Sequence, residues 1–171
     1  MGKRSNFERN PRDLYETPLE AVMPLFPHLE KDFSFSQPCA GSGKLIDHLE
    51  YLGGTCLWKT DIEPLRNDIH KLDFFNIIDL PAPVIDNPPW KREFLHPMID
   101  KLLEINDNYF WLLFDADWMH TKQSSEYMKY CSDIVSVGRI KWIPDSKMTG
   151  KDNCCWYKFD KNATNTIFHG R

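Results

Sequence analysis

The sequence predicts an α/β domain built on a doubly wound, mostly parallel sheet, with an antiparallel pair of strands at the C-terminal edge. Short strand-like runs alternate with segments of helical spacing, a pattern typical of parallel sheets. The run at 109–115 (YFWLLFD) is continuously apolar up to its last residue, as expected of a strand buried on both faces. The runs at 133–143 and 153–160 have no helical segment between them, which favours the antiparallel pair.

The other predicted elements follow in chain order. Residues 17–30 form a short helix, for which Thr17 is a plausible N-cap and Pro18 suits the first helical position. Further strands are predicted at 33–37, 55–61 and 83–86, and further helices at 44–52, about 64–71, 94–105 and 124–131. Residues 1–13 are expected to form a flexible basic arm, and residues 14–171 a single domain.

Composition excludes several classes of protein. The chain has 171 residues, which suits one domain with its own core. The five cysteines form no CxxC pair and the six histidines show no ligand spacing, so neither a disulfide scaffold nor a metal site is expected. The polar N-terminus is not a signal peptide, and no apolar run is long enough to cross a membrane, so we expect a cytoplasmic protein.

The net charge of −4 argues against a large, nonspecific nucleic-acid footprint. Its distribution is uneven, however. Residues 139–171 carry seven lysines or arginines against three aspartates, and residues 1–13 carry four against two acids. The basic ends could form a modest phosphate-binding edge or simply a solvated surface.

A glycine-rich turn, residues 37–43 (QPCAGSG), follows the first predicted strand. Gly41 and Gly43 would let the backbone approach a ligand, and the next helix N-terminus favours a carboxylate or phosphate. The turn matches neither the dinucleotide fingerprint nor the P-loop. Asp61 ends the next strand, 18 positions after Gly43, where an acid commonly holds the hydroxyls of a nucleoside ribose.

Two later segments add to this pattern. An aspartate at position 73 can accept a hydrogen bond from an adenine amino group while Phe74 covers the ring; a cap beside a core aromatic is the alternative. The stronger signal is the segment 86–90 (DNPPW) after a predicted buried strand. The Asn87 side-chain oxygen and the Pro88 carbonyl can accept from one amino group, and Trp90 offers a face for stacking a base.

In this order the motifs resemble the S-adenosylmethionine-dependent amino-methyltransferases of the Rossmann-like superfamily (class I methyltransferases), particularly the DNA adenine-N6 group. The segment NPPW resembles the catalytic [DN]PP[YFW] tetrapeptide of that group, and the arrangement is similar to its small phage-type members. The resemblance spans roughly residues 15–160 and implies a Rossmann-like fold with S-adenosyl-L-methionine as cofactor.

The resemblance also implies roles for individual residues. The implied catalytic residues are Asn87, Pro88, Pro89 and Trp90. The implied cofactor-binding residues are Tyr15, Thr17, Pro38, Cys39, Ala40, Gly41, Gly43, Asp61, Ile62, Asp73, Phe74 and Asn87. Trp90, Trp156 and Tyr157 are implied to contact the substrate, the last two from a late strand that lines the target pocket.

The expected reaction is methyl transfer to the N6 amine of adenine in DNA. The same chemistry on RNA adenine, cytosine N4 or protein glutamine stays open, as does a non-catalytic cofactor-binding subunit. The chain departs from the family in having Gln37 where an acid usually precedes the glycine loop, and no separate target-recognition domain is expected. We expect a monomer or weak dimer that binds nucleic acid, in the host cytoplasm if a phage encodes it.

Overall fold

The structure is a computed structural model that describes residues 15–143, 150 and 152–171. The predicted arm at 1–13 therefore lies outside the described residues, as does most of the loop between the last two long strands. Within the described ranges, no helix has the length and apolar character to cross a bilayer. The same residues include no group of histidines, cysteines and acids suited to a metal ion.

The strands form one sheet in the order β3-β2-β1-β4-β5-β7-β6-β8. Their bounds are β1 Ser34–Gln37, β2 Thr55–Asp61, β3 His70–Lys71, β4 Val84–Asp86, β5 Phe110–Asp115, β6 Cys131–Arg139, β7 Asn153–Phe159 and β8 Ile167–His169. The α-helices are α1 Leu19–Val22, α2 Lys44–Tyr51, α3 Arg92–Ile105 and α4 Ser125–Met128.

Strands β1 to β5 run parallel, and β7 runs antiparallel to both of its neighbours. This confirms the predicted doubly wound, mostly parallel α/β fold with antiparallel strands on the C-terminal side. The antiparallel strand is an interior one, because β7 inserts between β5 and β6. Strand β8, which was not predicted, pairs in parallel with β6 and lies at the edge.

The core has two layers, one on each face of the sheet, and β5 contributes to both. Trp111 and Leu113 pack with residues of α1 and α2, whereas Phe110, Leu112 and Phe114 pack with residues of α3. Alternate side chains of a strand point to opposite faces, so a strand covered by helices on both sides must be apolar throughout. The continuous run that predicted β5 has this cause.

Three predicted helices differ from the structure. The helix expected at about 64–71 is wrong: this stretch is mostly turns and ends in β3, whose residues pair with the end of β2. The helix expected at 17–30 is only α1 followed by a single 3-10 turn, consistent with Pro24 and Pro27 limiting helical hydrogen bonding. Thr17 does not cap α1, since Pro18 is the N-cap residue. The segment expected at 124–131 contains only the short α4.

Candidate active site

A cavity of about 620 Å³ opens where the carboxyl ends of β1, β2 and β4 meet, a common ligand position in such sheets. It is of the size that holds a cofactor-sized ligand. The lining residues come from the segment before α1, the glycine turn, the loops after β2 and β3, and the start of α3. They are Tyr15, Glu16, Thr17, Gln37, Pro38, Cys39, Ala40, Gly41, Ser42, Lys44, Leu45, Asp61, Ile62, Glu63, Leu65, Asp73, Phe74, Asn87, Pro89, Lys91, Glu93 and Phe94.

The glycine turn joins β1 to α2 with two left-handed residues, Gly41 at φ 52° and Gly43 at φ 77°. The amide of Gly43 donates to the Ala40 carbonyl at 2.7 Å, which closes the turn. A side chain at position 43 would place its Cβ 2.6 Å from the guanidinium of Arg66. Gly43 therefore shapes the turn but does not line the cavity, whereas Gly41 does both.

Asp61 holds the glycine turn from the neighbouring strand. One carboxylate oxygen accepts from the Gly41 amide at 2.7 Å, and the other accepts from the Glu63 amide at 2.8 Å. A carboxylate has about four lone-pair positions, so these two bonds leave capacity for ligand hydroxyls. Its position beside the cavity is compatible with the predicted ribose contact.

Asp73 and Phe74 have the structural roles that the sequence left open, and they also lie at the cavity. The Asp73 carboxylate accepts from the Phe75 amide at 2.9 Å and so caps a 3-10 turn. Phe74 is 3% exposed and packs in the core. Both residues nevertheless line the cavity, so a structural role does not prevent them from contacting a ligand.

Asn87 lies at the cavity in a chain of side-chain hydrogen bonds. Its Nδ2 donates to Oγ1 of Thr17 at 3.0 Å, and its Oδ1 accepts from the indole Nε1 of Trp90 at 3.0 Å. The Trp90 ring meets the Trp142 ring edge-on, with ring centroids 5.6 Å apart. The ring centroids of Trp142 and Tyr15 are 6.3 Å apart. Pro89 lines the cavity, whereas Pro88 and Trp90 are outside its lining.

The carboxylate of Asp86, at the end of β4, is fully buried behind the cavity. It accepts from Gln37 Nε2 at 3.1 Å, from the Cys39 amide at 2.7 Å and from the Asn87 amide at 2.8 Å. Burial raises its pKa to about 7, although the three hydrogen bonds act in the opposite direction. Burial likewise raises the pKa of the Cys39 thiol, with the Asp86 charge adding to the effect, so this cysteine stays protonated.

Trp156 and Tyr157 do not line the cavity, and their predicted contact with substrate requires correction. Both side chains are fully buried. Trp156 donates to the Ala21 carbonyl at 2.7 Å, and Tyr157 stacks on Phe114 with ring centroids 4.2 Å apart. The two side chains point to opposite faces of the sheet, and Trp156 belongs to one core layer and Tyr157 to the other.

Sequence reasoning missed some residues at the site. Lys91, Glu93 and Phe94 line the cavity, and all three closely follow the NPPW segment. Trp142, which packs beside Trp90, lies just beyond β6. An aromatic residue that follows a strand ending at the ligand edge is a signal that could have identified it.

Comparison with solved structures relates this geometry to known proteins. A proposed RNA methyltransferase from Pyrococcus horikoshii has a TM-score of 0.59 and 18% identity, with 96% of this chain and 95% of that chain covered. A dimethyladenosine transferase from Plasmodium falciparum has a TM-score of 0.55 and 16% identity, with 86% and 62% covered. A type I restriction-modification methyltransferase subunit from Streptococcus thermophilus has a TM-score of 0.57 and 11% identity, with 91% and 47% covered.

The chain shares its fold with these methyltransferases. At such low identities the likeness concerns the fold alone, and the match spans less than two thirds of the Plasmodium and Streptococcus chains. Neither a protein-family model nor a curated protein sequence matches this chain. Any reaction must therefore be argued from the site itself.

Proposed function

We propose that this chain transfers a methyl group from S-adenosyl-L-methionine to the exocyclic N6 amine of adenine in DNA. The observation that carries the proposal is the position of Asn87. Its side chain lies at the edge of a cavity that is also lined by a glycine turn, Asp61 and Asp73. The residues that would bind the methyl donor and the residue that would hold the amine are therefore neighbours.

The cavity suits this cofactor in shape and in chemistry. Its volume of about 620 Å³ is in the range of small-molecule sites. The left-handed Gly41 allows close backbone approach, and Asp61 and Asp73 offer acceptors for ribose hydroxyls and for an adenine amino group. When bound, the cofactor supplies a sulfonium methyl that is already activated, so the protein mainly binds and orients.

The residues of the NPPW segment would hold the acceptor. Oδ1 of Asn87 and the carbonyl of Pro88 would accept the two amine hydrogens, which aims the nitrogen lone pair toward the methyl. Trp90 would stack on the base, which must leave the duplex to reach the site. No strong base is required in this arrangement, because positioning alone can contribute roughly 7–11 kcal/mol.

RNA adenine is the second candidate acceptor, and a specific observation favours it. The Pyrococcus protein described as an RNA methyltransferase matches this chain over almost the whole of both lengths. The Plasmodium protein is a dimethyladenosine transferase, and the Streptococcus subunit belongs to a restriction-modification system. Two of these names thus mention adenosine or RNA, and the third mentions restriction-modification.

The test is transfer from radiolabelled S-adenosylmethionine to double-stranded DNA, single-stranded DNA and total RNA in separate reactions, each digested to nucleosides. We expect label in N6-methyldeoxyadenosine. Label in N6-methyladenosine would select RNA instead. Cofactor binding by calorimetry without any label would indicate a protein acceptor or a partner-dependent subunit. A chain that neither binds nor transfers would contradict the proposal.

A further inference from the structure

Asp86 connects the two halves of the site through one carboxylate. It is the last residue of β4, directly before Asn87, and it has no exposed surface. Oδ2 accepts from the Cys39 amide in the glycine turn, and Oδ1 accepts from the Asn87 amide. A single rigid group is therefore bonded to both the cavity turn and the residue proposed to hold the amine.

In the described part of the chain, no positively charged side chain compensates for the burial of this carboxylate. Among the residues that the structure describes, no lysine, arginine or histidine pairs with Asp86. The charged group that affects the pKa of Asp86 is the Asp61 carboxylate, which is also negative and raises it. A buried charge without a cation is costly, so such a residue is more common where geometry must be controlled than where stability alone is needed.

The same carboxylate sets the orientation of a side chain that lines the cavity. Nε2 of Gln37 donates to Asp86 Oδ1, and this bond fixes which end of the amide carries the oxygen. In the described part of the chain, Gln37 Oε1 is buried and has no hydrogen-bond partner. An unsatisfied buried acceptor costs free energy, so its orientation is imposed by the stronger charge-assisted bond to Asp86.

We propose that Asp86 is a positioning residue, which fixes the glycine turn, the Gln37 amide and Asn87 relative to one another. It touches neither ligand and acts through these three neighbours. The proposal rests on the function proposed above and adds a residue to which the sequence motifs assign no role. It also explains how a glutamine can stand before the glycine turn, because the acidic member of the Gln37–Asp86 pair is at position 86.

Replacement of Asp86 by asparagine tests the proposal because it changes a single oxygen to an NH₂ group. Wherever that NH₂ lies, it faces the Cys39 amide or the Asn87 amide, both of which are donors. We expect cofactor affinity and kcat each to fall about tenfold to a hundredfold, the size expected for lost charge-assisted bonds, while the KM for polymer changes little. Asp79→Asn is the matched control, since Asp79 is exposed and its carboxylate accepts from the adjacent Leu80 amide.

The double variant Gln37→Glu with Asp86→Asn separates positioning from general damage to the fold. The amide introduced at position 86 could donate to the carboxylate introduced at position 37 and accept from the Cys39 amide. Two of the three contacts would then return, while the Asn87 amide would still face the NH₂ group. We expect this variant to recover at least about tenfold of the affinity lost by Asp86→Asn. A purely structural role predicts instead that recovered affinity is matched by recovered resistance to urea, so the free energy of unfolding is measured on the same variants.

The outcomes are distinguishable when all variants are compared with the parent chain by calorimetry, methyl transfer and circular dichroism. An active parent with an equally active Asp86→Asn variant overturns the positioning role. If Asp86→Asn does not fold, Gln37→Met still removes one of the three bonds, and unchanged cofactor affinity in that variant overturns the role as well. A parent that neither binds nor transfers overturns the proposed function, and this inference with it.

Discussion

The indole N–H of Trp90 donates to Oδ1 of Asn87 at 3.0 Å, so the oxygen proposed to accept the target amine already has one partner. The amide oxygen has two lone pairs, and a second donor can share it only if the indole leaves room. A phenylalanine ring at position 90 would not form this bond, because it has no donor. The ring of Trp90 therefore competes with the amine that it is proposed to bring into place.

The two roles of Trp90 can be separated by substitution. We expect Trp90→Phe, which keeps a stacking face but removes the N–H, to retain or raise kcat. Trp90→Ala should lower kcat/KM about 5- to 150-fold, the range expected for loss of one base–aromatic stack. Steady-state kinetics with the preferred polymer measures both variants. A Phe variant as impaired as the Ala variant would show that the indole N–H is itself needed.

Asn87→Ala should remove methyl transfer and leave cofactor binding nearly intact. Its amide oxygen is expected to hold the amine, while the other lining residues supply most of the cofactor contacts. Loss of one polar group of this kind lowers kcat by about a hundredfold or more. Single-turnover transfer and calorimetry give the two quantities. Turnover at the parent rate would remove Asn87 from the catalytic assignment.

Asp61→Ala should have the converse effect. Its carboxylate anchors the Gly41 amide and is predicted to bind ribose hydroxyls, so we expect the cofactor dissociation constant to rise about tenfold to a hundredfold. Asp79→Ala, which alters an exposed carboxylate away from the cavity, is the control. The same dissociation constant in Asp61→Ala and the parent would refute the ribose role.

Gly43→Ala should destabilise the fold more than Gly53→Ala does. Both glycines have positive φ, 77° and 94°, which costs an alanine about 1–2 kcal/mol. A Cβ at position 53 meets no atom within 4 Å, whereas at position 43 it would displace the Arg66 guanidinium from its bond to Asp47. Urea denaturation measures both free energies of unfolding. Equal losses would mean that Arg66 moves aside at no cost.

Asp86 should make the fold less stable as the pH rises. Its pKa is about 7 in the folded chain against 3.8 ordinarily, because burial disfavours the charged form. Between these two pH values the folded state holds a proton that the unfolded state has lost. The free energy of unfolding therefore decreases by at most about 1.4 kcal/mol per pH unit within this interval. Above about pH 7 this contribution no longer changes with pH. The thiol of Cys39 and the carboxylates of Asp61 and Asp73 lie nearby.

The measurement compares Asp86→Asn with the parent by urea denaturation at pH 5 and pH 8. Other titrating groups contribute equally to both proteins, so the difference between them isolates Asp86. We expect the variant to lose less stability than the parent over this interval. Parallel changes in the two proteins would mean that Asp86 stays ionised throughout.

The sequence alone predicted the sheet class and most of the cavity because both depend on local patterns. A parallel strand ends in a polar turn, and the ends of adjacent parallel strands meet, so the glycine turn, Asp61 and Asn87 could be expected to lie together. The bonds that organise the site could not be predicted in this way. Thr17 bonds Asn87 across 70 positions, and Gln37 bonds Asp86 across 49, contacts that no local pattern encodes.

Trp156 and Tyr157 illustrate a second limit. Their strand was recognised, but whether it lay at the edge or in the interior of the sheet depended on its pairing with β5, which comes well before it in the chain. An aromatic residue at the ligand end of a strand can contact a ligand, whereas Trp156 and Tyr157 pair with Leu113 and Leu112 of β5 and lie in the core. Local hydrophobicity is identical in the two cases.

The insertion of β7 between β5 and β6 also bears on the biogenesis of the chain. During synthesis, β5 emerges with one edge paired to β4 and the other edge open, and the strand that closes it follows only after β6 has been made. Until then an apolar strand presents unpaired backbone groups, a feature that promotes association between nascent chains. A nascent chain that includes β5 but not yet β7 is therefore expected to be the form most prone to such association.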